Sequence, residues 1–230
     1  MDVANVMAKA ANDFYNELCN DCNGRYRSWE HCYYNFYKAR LSDDVDIDYL
    51  SLQLAFYLAS WGMYRGSSFL LQKDYKVHIP VVEKILESKY DVLFGIESED
   101  LLKEDIRILL FELVDSISNY YKKIRDTVKV QDIKKDISMT LITKILMGTL
   151  GCVPAYDRYF ISGVKLTKVS TGNFTEKSIV QLAQYYIDNK DVFENVRKKL
   201  CLNDILYPPM KLMDMGFWLF GLEYDKYSRI

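Results

Sequence analysis

The chain has 230 residues, half of them hydrophobic, and a formal net charge of −2 at pH 7. This length suits one large domain or two small lobes, and the apolar content is enough to bury a core without disulfides. The small net charge excludes a global basic field, so any contact with nucleic acid must use a local patch. Because no apolar run is long enough for a bilayer and Asp2 stands where a secretory signal carries basic residues, we expect a cytoplasmic protein without a membrane partner.

Apolar residues recur at steps of three and four along most of the chain, whereas no convincing run alternates with period two. This pattern predicts an all-α, multi-helix globular domain over 1–230, with possible lobes 1–128 and 129–230. The predicted helices are 2–20, 25–40, 47–60, 62–72, 79–88, 99–128, 134–149, 155–165, 175–189, 191–200 and 209–221. The helix 99–128 has the clearest apolar stripe, and we expect it to be central. The polar stretch 126–136 is the expected seam between the lobes.

Four potential metal ligands lie close together near the N-terminus: Cys19, Cys22, His31 and Cys32. A Cys-x-x-Cys pair can open a zinc site, but the usual second pair is missing, and side chains of adjacent helical residues diverge by about 100°. We therefore expect reduced thiols, no metal and no other cofactor. Arg25 and His31 also match the Arg-x5-His spacing of helical ribonucleases, a short pattern that arises often by chance.

The segment SWGMYRGSS, 60–68, places Gly62 and Gly66 on either side of Tyr64 and Arg65, between two apolar helical runs. The glycines permit a tight turn or a close helix approach. Arg65 would then point into a cleft, where it and the following serines could bind a phosphate. The alternative is that the glycines serve helix crossing and that Arg65 pairs with a buried carboxylate.

The stretch SMTLITKILMGTLGCVPAYDRYF, 138–160, is the most informative part of the chain. Its apolar helix is expected to end at Gly148 and Gly151, and Pro154 to set the start of the next helix. This would place Asp157 in the first turn of that helix. A carboxylate there interacts well with the helix dipole, but it would also lie beside a helix N-terminus that could hold a phosphate.

Basic residues concentrate in 120–144 and 158–168, although the total charge nearly cancels. Such charge runs are usually solvated surface. These two flank Asp157, however, and could supply contacts to a nucleic-acid backbone.

Two segments carry a resemblance to a known family. The run TLITKILMGTLGCVPAYDRYF, 140–160, resembles the helix and aspartate-bearing turn of the helix-hairpin-helix DNA glycosylase superfamily. The C-terminal YPPMKLMDMGFWLFG, 207–221, is similar to the closing helix of uncharacterised bacterial relatives of that group. The resemblance implies a helix-hairpin-helix-like C-terminal half in which Asp157 stabilises the cation that develops at a sugar when a base departs. If Asp157 is instead a helix cap that pairs with Arg158 or Lys165, the resemblance concerns the fold only.

With this resemblance, the sequence predicts a nucleic-acid-associated bacterial protein, in one form an unusual or degenerate DNA glycosylase-like enzyme that uses Asp157. The expected DNA contacts are Arg65, Arg158, Lys165 and Lys144, and the expected pocket walls are Trp61 and Tyr156. The alternative is a non-catalytic helical module that binds a protein partner through some of its nineteen tyrosines. Whether the chain is an enzyme stays open at this point, as do its partner and its oligomeric state.

Overall fold

The computed structural model describes residues 2–129 and 136–228. The first part contains α1 (Val3–Asn20), α2 (Ser28–Arg40), α3 (Ile47–Ser60), α4 (Ile79–Ile85), α5 (Ser98–Leu101) and α6 (Glu104–Asp126). The second part contains α7 (Met139–Thr149), α8 (Arg158–Thr167), α9 (Glu176–Asp188), α10 (Lys190–Arg197), β1 (Cys201–Leu202), β2 (Ile205–Leu206) and α11 (Pro209–Tyr227). The predicted all-α class is confirmed. The two strands pair antiparallel and are too short to leave a period-two pattern in the sequence.

Side-chain caps fix the starts of several helices. The side chains of Asp46, Asp157 and Thr175 each accept a hydrogen bond from a backbone N–H in the first turn of α3, α8 and α9. Such a bond satisfies one of the donors that a helix N-terminus leaves unpaired. The starts of these helices are therefore encoded locally.

The helices predicted over 62–72 and 99–128 differ most from the structure. The range 62–72 forms turns and a short 3-10 helix, Phe69–Gln72, because Gly62 and Gly66 both adopt positive φ, 76° and 59°, which no helix can include. The helix 99–128 is divided into α5 and α6. The seam at 126–136 and the start of the helix at 134–149 lie partly outside the described residues.

The central helices are α7 and α11 rather than α6. Only one stripe of α6 is buried, whereas every residue of α7 from Leu141 to Thr149 is buried. In α11 the buried stretch runs from Pro209 to Leu219. A helix surrounded by protein is buried on all sides, while an amphipathic helix such as α6 covers the outside of a core.

The core draws on both sides of the proposed seam. Helix α1 packs against α11, and α2 and α3 pack against α7, so that buried residues from the two parts belong to a single hydrophobic cluster. Among the helices that the structure describes, none combines the length and the apolar character that crossing a bilayer requires.

The turn between α7 and α8 differs in detail from the sequence expectation. Helix α7 continues through Gly148, where a Cβ would overlap the ring of Tyr57, and ends just before Gly151, whose φ is 67°. Pro154 lies in the irregular segment between the two helices, and α8 begins only at Arg158. Asp157 is therefore the N-cap residue of α8 and not a first-turn residue.

Glycines bring α8 unusually close to α11. A Cβ at Gly163 would overlap the backbone oxygen of Phe217, and a Cβ at Gly221 would overlap the backbone oxygen of Tyr159. Only glycine permits this approach of the two backbones. The contact holds the N-terminus of α8 against Trp218 of α11, where the candidate site lies.

Candidate functional site

A cleft opens where the loop after α3 meets the start of α8 and the middle of α11. Its volume is about 420 Å³, within the range of roughly 300–1,000 Å³ that is usual for ligand pockets. Its aromatic walls are Trp61, Tyr64, Tyr159 and Trp218, and it is also lined by Arg25, Arg65 and Asp157. This is the one place in the described chain where Asp157 and Arg65 meet aromatic walls.

Two arginines, Arg25 and Arg65, form what we call the rim of the cleft. Both side chains are exposed, and neither has a carboxylate partner within 2–129 or 136–228. The guanidinium of Arg65 lies over Gly62, where a Cβ would be only 2.9 Å from its Nε atom. Arg25 opens a short 3-10 turn, and its guanidinium stacks on Tyr26 with 4.8 Å between Cζ and the ring centroid. The rim thus carries positive charge that internal ion pairs do not neutralise.

Asp157 is fully engaged by hydrogen-bond donors. Its Oδ1 accepts from the backbone N–H groups of Tyr159 and Phe160, at 3.1 and 3.2 Å. Its Oδ2 accepts from Lys144 Nζ at 2.9 Å and from Trp218 Nε1 at 3.2 Å. The side chain is 16% exposed. The carboxylate is therefore a helix cap, one half of an ion pair and a small part of the cleft wall at the same time.

The ion-pair partner of Asp157 is not one of the two expected. Lys144, whose side chain is 2% exposed, takes the place that the sequence suggested for Arg158 or Lys165. Its position inside α7 puts Lys144 thirteen residues before Asp157 in the chain. Sequence spacing alone does not reveal such a pair, because the turn between the two helices determines it.

A second ion pair lies beneath the first. Lys211 Nζ is 3.2 Å from Asp214 Oδ2, and the exposed fractions of the two side chains are 2% and 7%. Asp214 Oδ1 also accepts from the backbone N–H of Ala155 at 3.0 Å. Lys144, Lys211 and Asp214 meet Asp157 in an enclosed space next to the cleft, and of the four only Asp157 lines the cleft itself. We call these four side chains the floor.

Aromatic rings surround the cations of the floor. Trp61 lies 4.6 Å from Lys144 Nζ and 5.7 Å from Lys211 Nζ, measured to the ring centroid, and Trp29 lies 4.8 Å from Lys211 Nζ. Burial lowers the pKa of Lys211 and raises the pKa of Asp214, while the charge of each partner opposes the shift of the other. Two cations and two anions make the floor neutral overall, in contrast to the rim.

Several expected site residues lie elsewhere. Tyr156 is buried in the core, where its hydroxyl is 2.7 Å from that of Ser178, so it is not a wall of the cleft. Lys144 is buried and cannot reach a nucleic-acid backbone as the sequence suggested. Lys165 is exposed on α8, outside the cleft.

Arg158 lies next to the cleft but is already engaged. Its guanidinium donates to Asp225 Oδ2 and to the hydroxyl of Tyr159, both at 2.8 Å. Tyr159 in turn lines the cleft. Arg158 therefore orients a wall residue and has a carboxylate competitor for any phosphate.

Trp61 and Arg65 do line the cleft. Sequence reasoning missed Arg25, Tyr64, Tyr159 and Trp218 as lining residues. Glycine spacing pointed to the segment that holds Tyr64, and Trp218 lies in one of the two segments that carried the resemblance. Nothing local in the sequence linked Arg25 to either segment.

The N-terminal cysteines do not form a metal centre in the described part of the chain. Cys19 and Cys22 are exposed, Cys32 is buried, and all are free thiols. Burial raises the pKa of the Cys32 thiol well above its usual range. Within the described ranges no group of three or more His, Cys, Asp or Glu side chains could hold a metal ion.

Comparison with protein-family models, with curated proteins and with solved structures finds no match to this chain. The resemblance to helix-hairpin-helix glycosylases therefore stays a prediction from two segments. The stretch QDIKKDISM, 131–139, where the resemblance would place a hairpin, lies largely outside the described residues.

Proposed function

We propose that this chain binds single-stranded nucleic acid and that one nucleotide of the strand enters the cleft. The observation that carries the proposal is the combination of aromatic walls with two exposed arginines that have no carboxylate partner in the described structure. Proteins that bind single strands use this combination, because aromatic rings stack on bases and arginines contact the backbone.

Contacts between the aromatic rings hold the walls of the cleft in place. Trp61 and Trp218 meet edge to face with 5.7 Å between their ring centroids, and Tyr159 meets Trp218 in the same way at 5.5 Å. Rings held at such angles by their neighbours lose little freedom when a flat ligand arrives. Stacking on them is tolerant of base identity, since every base offers a π-face.

The charge distribution supports the same ligand. The chain as a whole carries −2, so long-range attraction to nucleic acid is weak and the local positive charge of the rim must act at short range. Arg25 and Arg65 stand on separate segments that both line the cleft, and each can donate two parallel hydrogen bonds to a phosphate. The rim therefore suits a backbone that passes over the cleft while a base points inward.

A fluorescence titration tests this proposal. Trp61 and Trp218 line the cleft and Trp29 does not; Trp218 is 6% exposed and Trp61 is half-buried, so a stacked base is expected to quench mainly the emission of Trp61. The probe is a short oligothymidylate at low salt. Arg65→Ala is expected to weaken binding at least about tenfold, because it removes charge-assisted hydrogen bonds.

The control for charge alone is Lys165→Ala, which removes an exposed cation outside the cleft. It is expected to leave the affinity near that of the wild type. The slope of log K against log salt is expected near −1.4 for two phosphate contacts, and Arg65→Ala is expected to reduce it by about 0.7. Equal losses for both variants, or no binding at low salt, would refute the proposal.

A glycosylase-like reaction is the finer form of this proposal, and the position of Asp157 in the cleft wall favours it. A carboxylate there could stabilise positive charge at a sugar, although Lys144 at 2.9 Å already neutralises part of its field. The test is release of free base from DNA containing damaged bases. We expect the wild type to release base and Asp157→Asn to release none while still binding oligonucleotide. Base release by both proteins would show that Asp157 takes no part in the reaction.

A second candidate function is protein binding, and one surface favours it. Tyr49, Leu52 and Phe56 form an exposed apolar stripe along α3, with 45%, 47% and 57% of their surfaces accessible. The spacing of three and four residues is that of one helix face. Loss of a protein complex on Phe56→Ser, together with no oligonucleotide binding at low salt, would favour this function over the first.

A further inference from the structure

A buried chain of three side chains ends at the cleft. The hydroxyl of Tyr64, a wall residue, lies 2.6 Å from Nε2 of His78, and Nδ1 of His78 lies 2.6 Å from the hydroxyl of Tyr121. His78 and Tyr121 have no exposed surface, whereas Tyr64 is only partly buried. We call this chain the Tyr121–His78–Tyr64 relay.

His78 is neutral in this environment. Burial lowers its pKa to about 3, and no carboxylate contacts the ring among the described residues. A neutral imidazole has one N–H donor and one acceptor nitrogen. One tyrosine must therefore donate to His78, and the other must accept from it.

The two possible directions differ in what they leave unpaired. If Tyr64 donates, Nδ1–H of His78 donates to Tyr121, and the hydroxyl proton of Tyr121 has no acceptor in the described structure. Tyr121 is fully buried, so this direction leaves an unsatisfied donor away from water, which is costly. If Tyr121 donates, Nε2–H of His78 donates to Tyr64, and the hydroxyl proton left over belongs to a residue at the cleft.

We infer that the relay runs from Tyr121 through His78 to Tyr64 and makes the Tyr64 hydroxyl a dedicated hydrogen-bond donor to whatever occupies the cleft. This rests on the proposed function, and it adds which atom of the nucleotide the cleft selects. Because the oxygen of Tyr64 accepts from His78 in this direction, its own proton is left without an acceptor among the described hydrogen bonds, and the hydroxyl favours a ligand that accepts. Phosphate oxygens and the carbonyl oxygens of bases have that chemistry, whereas exocyclic amino groups do not.

Tyr64 is therefore expected to be a specificity-determining residue, with His78 and Tyr121 as positioning residues. Neither of the latter lines the cleft. Their contribution is to fix the direction of one hydroxyl, in the way that the partner of a histidine nitrogen fixes its tautomer.

The tautomer of His78 tests the inference without any ligand. Nitrogen-15 NMR of the histidine side chains distinguishes a protonated from an unprotonated Nδ1. We expect Nε2 of His78 to carry the proton and Nδ1 to be bare. An Nδ1-protonated or a doubly protonated ring would overturn the inference, whatever the protein binds.

The donor role is tested by binding of the short oligothymidylate, whose bases offer carbonyl oxygens. Tyr64→Phe keeps the aromatic wall and is expected to weaken binding about 2- to 12-fold, the range for one neutral hydrogen bond. The matched control is Tyr120→Phe, which removes a hydroxyl that donates to the carbonyl of Val77 and does not line the cleft. Equal affinities for the two variants would overturn the donor role.

The outcomes separate this inference from the proposed function. If the wild-type protein binds no oligonucleotide at low salt, the proposed function fails and the donor role falls with it, while the NMR result still decides the direction of the relay. If the wild type binds and only Arg65→Ala weakens binding, the proposed function stands and the donor role of Tyr64 is wrong.

Discussion

The floor and the rim of the cleft lie within one site but are built in opposite ways. The floor, Lys144, Asp157, Lys211 and Asp214, consists of charges that are buried and paired with one another. The rim, Arg25 and Arg65, consists of charges that are exposed and have no carboxylate partner in the described ranges. Charge alone thus does not identify a binding residue. The partners of each charge decide whether it serves the fold or a ligand.

Because of this difference, substitutions in the floor and in the rim are expected to change different properties of the protein. Removing one member of a buried pair leaves the other charge without compensation, so the free energy of unfolding falls. Removing an exposed charge without a partner leaves the folded state nearly unchanged. Stability and binding are therefore expected to respond to different halves of the site.

The largest effect is expected at Lys211. Lys211→Met is expected to lower the free energy of unfolding by about 3–5 kcal/mol, because Asp214 stays buried without its cation. Urea denaturation followed by circular dichroism measures this. The control is the double variant Lys211→Met/Asp214→Leu, in which no charge is left behind and most of the loss is expected to disappear. A double variant as unstable as the single one would show that packing, and not charge, makes the floor essential.

Asp157→Asn is expected to cost about 3 kcal/mol, toward the lower end for a broken buried pair, because part of its carboxylate reaches water. Asparagine caps a helix nearly as well as aspartate, so the start of α8 should survive. Asp157→Ala removes the cap as well, and we expect about 1 kcal/mol of further loss. Two variants of equal stability would show that the cap contributes nothing.

These residues also show how far sequence reasoning reached. Asp157 was predicted to lie at a helix start, and Trp61 and Arg65 to lie in a cleft, because glycine, proline and cap residues act on their immediate neighbours. The prediction that Lys144 contacts nucleic acid was wrong, because the lysine is buried in an ion pair with Asp157. A carboxylate that forms such a pair can lie far away in the sequence. Whether the two side chains pair depends on how the helices that carry them pack.

Tyr156 and Tyr159 illustrate the same limit within one segment. Both aromatic residues flank Asp157, and the sequence favoured Tyr156 as a wall of the pocket. The structure buries Tyr156 against Ser178 and turns Tyr159 to the cleft, because Tyr156 precedes the N-cap and Tyr159 lies inside α8. A shift of a few residues in the helix start reverses which side chain faces inward, and boundaries are the least certain part of a sequence prediction.

His78 shares a feature with each part of the site: it is buried like the floor, but it contacts Tyr64, which lines the cleft. Its pKa is lowered to about 3 by burial, whereas an unfolded histidine titrates near 6.5. Between these values the unfolded state binds more protons than the folded state, so stability falls as the pH drops below about 6.5. From pH 7 to pH 5 the expected loss is about 2 kcal/mol.

Denaturation at several pH values measures this loss. His78→Gln is expected to be less stable at pH 7, since it disturbs the relay, but to lose most of the acid sensitivity between pH 7 and pH 5. A wild-type curve that is flat over this range would mean that His78 accepts a proton in the folded state, and the relay would then have two donors at its centre.

The smallest effect on stability is expected at the rim. Arg65→Ala should change the free energy of unfolding by no more than about 0.5 kcal/mol, as is usual for an exposed side chain, and Arg25→Ala by no more than about 1 kcal/mol, because it also removes the contact with Tyr26. The same protein samples are expected to lose oligothymidylate binding in the titration. A variant that lost stability as well would reveal a structural partner for that arginine, and the rim would then differ from the floor only in exposure. Unchanged stability with weakened binding is expected only if the charge is kept for a ligand.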